Sequence, residues 1–230
     1  MENISDKILK IRSEYGDKAL VKEDLNPDPI KQFESWLENA IEIEASEPNA
    51  MAISTVDSQN NPRSRYVLFK NIVNDSLVFH SHYESAKAKE IENNPNVSGL
   101  FFWPEIYRQI RFEGVVSKAS AEVSDEYFKS RPRGAQISAW ASDQSEEIED
   151  KEILEQKIKK LEKEYEGKEI PRPEFWGGYL IDIHNWEFWQ GRKNRTHDRF
   201  SYSKVDTEWK TVRLSPVSYT HLTLPTKRIV

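Results

Sequence analysis

The chain has 230 residues, of which 37% are hydrophobic and 11% aromatic, enough to bury the core of one domain or two small ones. Its formal net charge of -6 argues against a surface that binds nucleic acid or an anionic membrane along its whole extent. There is no cysteine, which excludes disulfides, thiolate metal sites and cysteine nucleophiles. The N-terminus carries charges throughout and no run is long enough to span a bilayer, so we expect a cytoplasmic protein.

Two helices are predicted before the first strand. Ser5 can cap a short helix that ends at Gly16 and forms an N-terminal arm. Asp28 followed by Pro29 is typical of a second helix start. Apolar residues then recur at helical spacing: Ile30, Phe33, Leu37, Ala40 and Ile41. The second helix is therefore expected to pack on a core.

From residue 50 the pattern changes to strands. Five strand-like runs cover residues 50–57, 65–73, 76–83, 97–103 and 108–119, and a short helical segment lies at 84–94. Five consecutive strands predict an antiparallel barrel.

The second half of the chain is first helical and then extended. Helical texture covers residues 123–168, and its acidic stretch from Asp143 to Glu169 is typical of a solvated helix, to which we assign no chemistry. Residues 177–191 predict another strand, and residues 198–214 a hairpin that turns near Asp206 and Thr207. The fold class is therefore mainly β with flanking helices, in one domain.

Two clusters of cations stand on or beside these elements. Residues 63–70 place Arg63 and Arg65 on one strand face and Lys70 on the other. Residues 127–136 hold Tyr127 and Arg131 where a proline ends a helix. Protection of a strand edge and complementation of a helix C-terminus are the alternative explanations of these charges.

The most concentrated positive charge lies in FWQGRKNRTHDRF, residues 188–200. Its four cations are offset within the segment by Asp198 alone, so a shared anion such as phosphate would relieve their repulsion: Arg192, Lys193, Arg195 and Arg199. The aromatic residues at 186, 188 and 189 could form a wall for a planar ring or belong to the core. The segment therefore favours a bound anion such as phosphate, and it leaves open whether the aromatic residues contact a ligand or the core.

Other chemistries have less support. His80 and His82 alternate on one strand, but no third ligand stands at metal-binding spacing. No nucleophile elbow, Walker loop or G-x-G-x-x-G is present. We therefore expect neither a metal site nor a hydrolase.

Several long motifs occur in one order: RSRYVLFK, SAKAKEIENNP, RQIRFEG, YFKSRPRGAQISAWASDQS, PRPEFWGGY, EFWQG, NRTHDRF and WKTVRLSP. Together they strongly resemble the pyridoxamine 5′-phosphate oxidase family, from roughly the first helix to Pro216. The resemblance implies an FMN-binding split β-barrel, active as a homodimer with flavin at the subunit interface. It further implies oxidation of pyridoxamine 5′-phosphate or pyridoxine 5′-phosphate to pyridoxal 5′-phosphate, with oxygen reduced to hydrogen peroxide.

The resemblance also assigns residues to the two ligands. The implied flavin-binding residues are Arg65, Tyr66, Val67, Leu68, Phe69, Lys70, His80, Ser81, Lys87, Gln109, Gln144, Ser145, Trp189 and Arg199. The implied substrate-binding residues are Lys70, Tyr127, Arg131, Arg195 and His197, of which Arg195 and His197 are the implied catalytic pair.

The chain departs from the family pattern at three site positions. Ala86 stands where an arginine is common, Ala135 where a serine touches the substrate phosphate, and Thr196 where a leucine is usual. Residues 217–230 follow the usual family end and are interpreted as an appended segment outside the single oxidase domain, which the resemblance places at residues 1–216. A split-barrel flavoprotein with another substrate and a non-enzymatic carrier of pyridoxal phosphate remain as alternatives.

Overall fold

The computed structural model describes residues 3–5, 8 and 15–216, and in this part of the chain eight antiparallel strands form one sheet. The strands are β1 (Ala50–Val56), β2 (Pro62–Val73), β3 (Ser76–His82), β4 (Asn96–Trp103), β5 (Arg108–Lys118), β6 (Trp176–Gln190), β7 (Asp198–Val205) and β8 (Glu208–Leu214). The helices are α1 (Pro29–Glu42), α2 (Ala86–Asn93), α3 (Ala121–Ser130), α4 (Arg133–Ala141) and α5 (Lys151–Glu164). Short 3-10 turns lie at Lys22–Asp24, Pro104–Ile106 and Lys193–Arg195.

Strands β1 to β6 close into a six-stranded barrel because β6 pairs with β5 along one edge and with β3 along the other. The sheet order is β3-β2-β1-β4-β5-β6-β7-β8, and a further pairing of β3 with β6 closes the ring. The N-terminal part of β6 pairs with β3, from Trp176 opposite His82 to Ile181 opposite Leu77. Its C-terminal part pairs with β7 instead, so the β7–β8 hairpin extends beyond the barrel.

Helix α1 packs against the barrel with the predicted N-terminal signals in place. The Asp28 carboxylate accepts a hydrogen bond from the Ile30 amide, and Pro29 occupies the first turn. The apolar face differs from the prediction, because Trp36 is buried while Ile41 is 55% exposed. The buried stripe therefore runs through residue 36 rather than residue 41, and Trp36 packs edge-on against Phe188.

A smaller apolar cluster lies beside the barrel, between α3, α4 and the start of β6. Its buried members are Phe128, Ile137, Ala139, Ile170 and Trp176. Pro132 separates α3 from α4, as the sequence predicts. Helix α5 has no fully buried residue, which agrees with a solvated helix over the acidic stretch.

The predicted mainly β architecture is confirmed, including the five consecutive strands, the later strand over β6 and a hairpin turning at Asp206, where φ is +54°. Most of the predicted N-terminal helix and all of the appended segment 217–230 lie outside the described residues. Within the described part, no helix combines the length and apolarity that crossing a bilayer requires.

Candidate functional site

A cleft of ≈ 290 Å³ opens between β2, β3 and the start of β6, bordered by α2, by α3 and by the loop after α4. Its walls are formed by Tyr66, Val67, Leu68, Lys70, His80, Ser81, Lys87, Tyr127, Arg131, Gln144 and Trp176. Ten of these eleven residues are sequence-predicted site residues, which the chain brings together from five separate segments. The cations of the lining form two groups with different neighbours, called the two ends of the cleft below: Lys87, and Lys70 with Arg131.

Lys87 marks one end of the cleft. Its ammonium donates hydrogen bonds to Ser81 Oγ at 3.0 Å and to Gln144 Oε1 at 3.3 Å. Ser81 Oγ also donates to Gln144 Oε1 at 3.2 Å, so the three side chains form one polar group. Burial, followed by the positive charge of Arg65, lowers the pKa of Lys87. An anion at this end would restore the stability of the charged ammonium.

Arg131 and Lys70 mark the other end of the cleft. The Arg131 guanidinium lies 4.7 Å from the centre of the Trp176 ring, and the Lys70 ammonium lies 6.0 Å from the centre of the Tyr127 ring. Burial lowers the pKa of Arg131. Two cations without a nearby acid among the residues lining the cleft again favour an anionic ligand.

His80 contacts the aromatic rings of the cleft and lies near the cations Arg131 and Lys70. Its ring stacks on Tyr127 at 4.0 Å and on Trp176 at 5.3 Å. Burial, with the charges of Arg131 and Lys70, lowers the pKa of His80 to about 4, so the imidazole is neutral at physiological pH. Within the described residues, His80 Nδ1, His80 Nε2 and Arg131 Nη1 are buried without a hydrogen-bond partner. Such groups are rare unless a ligand or water completes them.

A second cluster of predicted residues forms a row across β5, β6 and β7. Gln109 lies opposite Trp189, and Trp189 lies opposite Arg199. Arg199 Nε donates to the Glu187 carboxylate at 2.8 Å, and its Nη1 donates to the Ser215 carbonyl at 3.0 Å. The row thus presents an amide, an indole and a guanidinium on neighbouring strands.

The loop between β6 and β7 carries the predicted catalytic pair beside this row. Asn194 and Arg195 adopt positive φ values of +56° and +58°, a conformation that few non-glycine residues take. Arg195 is exposed, whereas His197 is 9% exposed. The Arg195 side chain therefore lies in solvent, whereas the His197 side chain is buried.

The His197 ring is fixed by aromatic neighbours and by one backbone hydrogen bond. It lies 4.7 Å from the Trp189 ring and 5.0 Å from the Tyr15 ring. The Arg192 amide donates to His197 Nδ1 at 3.0 Å, which leaves Nε2 as the protonated nitrogen of the neutral ring. Burial, then the charge of Arg195, lowers the pKa of His197 and favours that neutral form.

The two clusters are far apart within one chain. His80 lies opposite Gly178 on β6, and Trp189 stands eleven residues further along the same strand. At about 3.3 Å per residue, this separation corresponds to about 36 Å of strand. The chain therefore assembles the predicted residues as two separate clusters rather than as one site. The cleft and the row with its adjoining loop are called the two half-sites below.

Three further predicted residues lie neither in the cleft lining nor in the second cluster. The Phe69 side chain is buried in the core, and both its amide and its carbonyl bond Asn49. Arg65 is bound by Glu90 at 2.6 Å. Ser145, with φ +75°, borders the neighbouring pocket with Gln144. Phe69 therefore offers the cleft no free polar group, which weighs against its predicted contact with the flavin.

Four residues of these half-sites escaped prediction from the sequence: Tyr15, Glu90, Trp176 and Glu187. Trp176 and Tyr15 were hidden because an aromatic residue near a strand or in an N-terminal arm is usually structural. Glu90 and Glu187 each pair with a predicted arginine across more than ten residues of sequence. The clustering of arginines in an otherwise acidic chain was the one feature of the sequence that indicated carboxylate partners for them.

The closed barrel, the flanking helices and the cation-lined cleft define a protein of the split β-barrel class. A solved structure of PhzG from Burkholderia lata, in complex with tetrahydrophenazine-1-carboxylic acid, aligns with a TM-score of 0.82 at 30% identity, over 87% of this chain and 99% of that one. A pyridoxamine 5′-phosphate oxidase-related, FMN-binding protein from Nostoc punctiforme shares the fold, with a TM-score of 0.67 at 15% identity, over 82% of this chain and 98% of that one.

The family is defined more narrowly by sequence. Residues 37–165 match the model of pyridoxamine 5′-phosphate oxidase, and residues 176–216 match the pyridoxine 5′-phosphate oxidase C-terminal dimerisation region. The pyridoxine/pyridoxamine 5′-phosphate oxidase of Rubrobacter xylanophilus is 46% identical over 90% of this chain and 95% of its own length. That of Rippkaea orientalis is 47% identical over 91% and 99%. The chain belongs to the pyridoxine/pyridoxamine 5′-phosphate oxidase family.

Proposed function

We propose that the protein is an FMN-dependent oxidase that converts pyridoxamine 5′-phosphate and pyridoxine 5′-phosphate to pyridoxal 5′-phosphate. The observation that carries the proposal is the cleft itself, which is lined by two groups of cations and by stacked rings. Family membership and relatives named for this reaction, at 46% and 47% identity, support it.

The residues present fit a bound FMN. Lys87, Ser81 and Gln144 offer an ammonium, a hydroxyl and an amide to a phosphate and a polyol chain. Residues 66–68 line the same cleft and would contact the flavin there. The orphaned nitrogens of His80 are a further sign that a polar ligand completes this site. When bound, FMN would accept a hydride from the substrate carbon that bears the amine or alcohol, with oxygen reduced to hydrogen peroxide.

The remaining polar groups would bind and orient the substrate. Lys70 and Arg131 would hold its phosphate, since guanidinium and ammonium groups bind phosphate by charge-assisted hydrogen bonds. Tyr127 would provide a flat surface beside the pyridine ring. Fixing the phosphate and one ring face positions the reacting carbon, and this positioning is the main contribution of these residues.

Arg195 and His197 would act on the substrate from the second half-site. His197 is neutral with its proton on Nε2, so it can donate one hydrogen bond to a polar atom of the pyridine ring. Arg195 is exposed on a strained turn and can reach outward toward a ligand that its own chain does not hold. The pair would stabilise negative charge that develops on the ring.

The separation of the two half-sites supports a homodimeric enzyme. Because about 36 Å of strand divides them, the row of Gln109, Trp189 and Arg199 would complete the flavin site of a second copy. The match of residues 176–216 to a dimerisation region covers this row except Gln109. Each dimer would then contain two equivalent sites, each built from both chains.

Binding of FMN tests the proposal. Equilibrium dialysis of the folded protein should give one FMN per chain and a protein with the visible spectrum of a bound flavin. The oxidase assignment would be refuted if the folded protein takes up no FMN at FMN concentrations far above the dissociation constants typical of flavoenzymes. Because PhzG is a structural relative, phenazine-type carboxylic acids should be compared with phosphorylated pyridines as substrates.

We further propose that residues 1–216 form the single oxidase domain and that residues 217–230 contribute nothing to it. The second family match ends at residue 216. A protein truncated after Pro216 should keep its flavin content and its dimer mass. Loss of either property would place the last fourteen residues in the fold.

A further inference from the structure

Glu90 holds Arg65 in a closed charge-neutral pair beside Lys87. Arg65 Nη2 lies 2.6 Å from the Glu90 carboxylate, and the side chains are 23% and 12% exposed, so water screens the pair poorly. The Thr55 hydroxyl joins them, because it accepts a hydrogen bond from Arg65 Nη1 and donates one to Glu90. The guanidinium is therefore engaged by a carboxylate even without a ligand.

The same carboxylate acts on the second cation of this end of the cleft. The charges of Arg65 and Glu90 both influence the pKa of Lys87, in opposite directions. Residue 86, which lies one turn before Glu90 on the same face of α2, is alanine and supplies no cation. Within the described residues, this end of the cleft therefore holds two cations and one carboxylate, with a net charge of only +1.

We propose that Glu90 is an affinity-setting residue that competes with the FMN phosphate for Arg65 and so keeps the affinity for FMN below what the two cations could give. The inference rests on the proposed function, because it requires that FMN places its phosphate at this end of the cleft. A phosphate dianion close to Glu90 is repelled by the carboxylate, and its share of Arg65 is reduced by the existing ion pair.

The test separates the phosphate from the rest of the flavin. The dissociation constants of FMN and of riboflavin, which lacks the phosphate, are measured by quenching of flavin fluorescence on the wild-type apoprotein and on Glu90→Gln. The variant keeps a hydrogen-bond acceptor for Thr55 and Arg65 but removes the charge. FMN should bind about five- to fiftyfold more tightly to the variant, the range expected for removing one charge some 7–10 Å from a dianion at an effective dielectric constant of roughly 40–80, between the values of a protein surface and of water. Riboflavin affinity should not change.

Glu92→Gln is the matched control. Glu92 lies on the same helix, is exposed, and its substitution causes the same change in net charge. It should shift FMN affinity less than about twofold, because an exposed charge is screened. If Glu90→Gln fails to fold, judged by its thermal unfolding, Glu90→Ala removes the same charge and should change FMN affinity in the same direction.

The outcomes are distinct. If Glu90→Gln binds FMN more weakly, Glu90 orients Arg65 for the phosphate instead of competing with it, and the inference is wrong. Equal affinity of wild type and variant for FMN also overturns it. If the wild type binds FMN and riboflavin equally well, the flavin function stands but no phosphate is held here, and the inference falls alone. If it binds neither flavin, the proposed function itself fails.

Discussion

Arg195 and Arg199 are four residues apart, yet their surroundings differ. Arg195 is exposed at a positive φ, while Arg199 is tied to Glu187 and to the Ser215 carbonyl. A guanidinium whose direction is fixed by a buried carboxylate suits a resident cofactor, and an exposed one suits a ligand that comes and goes. The contacts of these residues support the division between substrate and flavin that the family resemblance implies.

Replacing each arginine by leucine should separate these roles. Arg195→Leu should lower kcat/KM for pyridoxine 5′-phosphate by about tenfold to a thousandfold, through loss of charge-assisted contact and alignment, while FMN still binds. Arg199→Leu should weaken FMN first and regain some turnover in excess cofactor. Arg63→Leu, at an exposed pair with Asp57, is the control for the change in charge. Equal loss of FMN affinity in both site variants would contradict the division.

His80 gives the protein a pH dependence of stability. Its folded-state pKa of about 4 lies below the ordinary value of 6.5, so the unfolded chain takes up a proton before the folded one does as the pH falls. The contribution of neutral His80 to stability is therefore complete above about pH 6.5 and is lost as the pH falls from 6.5 toward 4.

Substitution of His80 by phenylalanine should remove this dependence. The phenyl ring can keep the stacking on Tyr127 and Trp176 without buried nitrogens that lack partners. At pH 5 the apoprotein of His80→Phe should exceed the wild type in unfolding free energy by about 1–2 kcal/mol more than it does at pH 8. Urea unfolding at both pH values measures the difference, with exposed His184→Phe as control. A constant difference between the two pH values would show that His80 is not held neutral.

At the scale of elements, the sequence was sufficient for local features and insufficient for pairings between distant segments. Alternation of side chains located the strands, and Asp28 with Pro29 located the start of α1, because both signals lie within a few residues. The closure of β3 on β6 joins positions almost a hundred residues apart, and no local pattern encodes it. The buried face of α1 was predicted incorrectly at one position, because Trp36 is buried in the core while Ile41, which the pattern placed there, is exposed.

The candidate site shows the same limit. Arginines, lysine and histidine were predictable because their motifs are contiguous, whereas Trp176 and Glu90 become site residues only when the chain is folded. The resemblance to a family named some members of each half-site, but only the folded chain divides them into two groups. Register decides this division, because Gln109, Trp189 and Arg199 share one row across three strands.

The contact between α3 and β6 requires a glycine at position 177, because no space is left there for a side chain. A Cβ on Gly177 would lie 2.1 Å from the Tyr83 hydroxyl and 2.9 Å from Ser124 Oγ, which itself bonds the Gly178 amide. Gly177→Ala should therefore lower the unfolding free energy by about 1–3 kcal/mol. Gly134→Ala in α4, where a Cβ meets nothing within 4 Å, should raise it by about 0.4–1 kcal/mol.

Urea unfolding of the two glycine variants provides the comparison. Opposite signs are expected because the chemical change is the same and the space differs. If Gly177→Ala is as stable as the wild type, the contact between α3 and the closing end of β6 is looser than the structure indicates. The cleft wall formed by Trp176, the residue before Gly177, would then be less rigid as well.

At the scale of the whole molecule, the two half-sites make a prediction about mixed dimers. Arg131→Leu damages the cleft and Arg195→Leu damages the loop, so each variant alone should keep at most about a tenth of wild-type activity. If one site takes residues from both chains, mixed dimers contain one intact site. Unfolding and refolding the two variants together should restore about a quarter of wild-type activity, since half of the dimers are mixed and one site in two is repaired.

Mixing of two preparations of the same variant is the control for that experiment and should restore nothing. Recovery of activity only in the mixed sample would locate the substrate site between chains. No recovery, with mixed dimers verified by mass, would show that each chain builds its site alone. The separation of about 36 Å along β6 would then have to be bridged within one chain.

We propose that the protein oxidises a phosphorylated pyridine in this cleft and that a bound flavin is reduced in the same step. The most direct measurement is the visible absorption of the FMN-loaded protein, mixed without oxygen with pyridoxine 5′-phosphate or pyridoxamine 5′-phosphate. The flavin band should bleach with formation of one pyridoxal 5′-phosphate per flavin and return when oxygen is admitted, while pyridoxine without its phosphate should bleach it far more slowly. A flavin band that stays unchanged with either phosphorylated substrate would contradict the account.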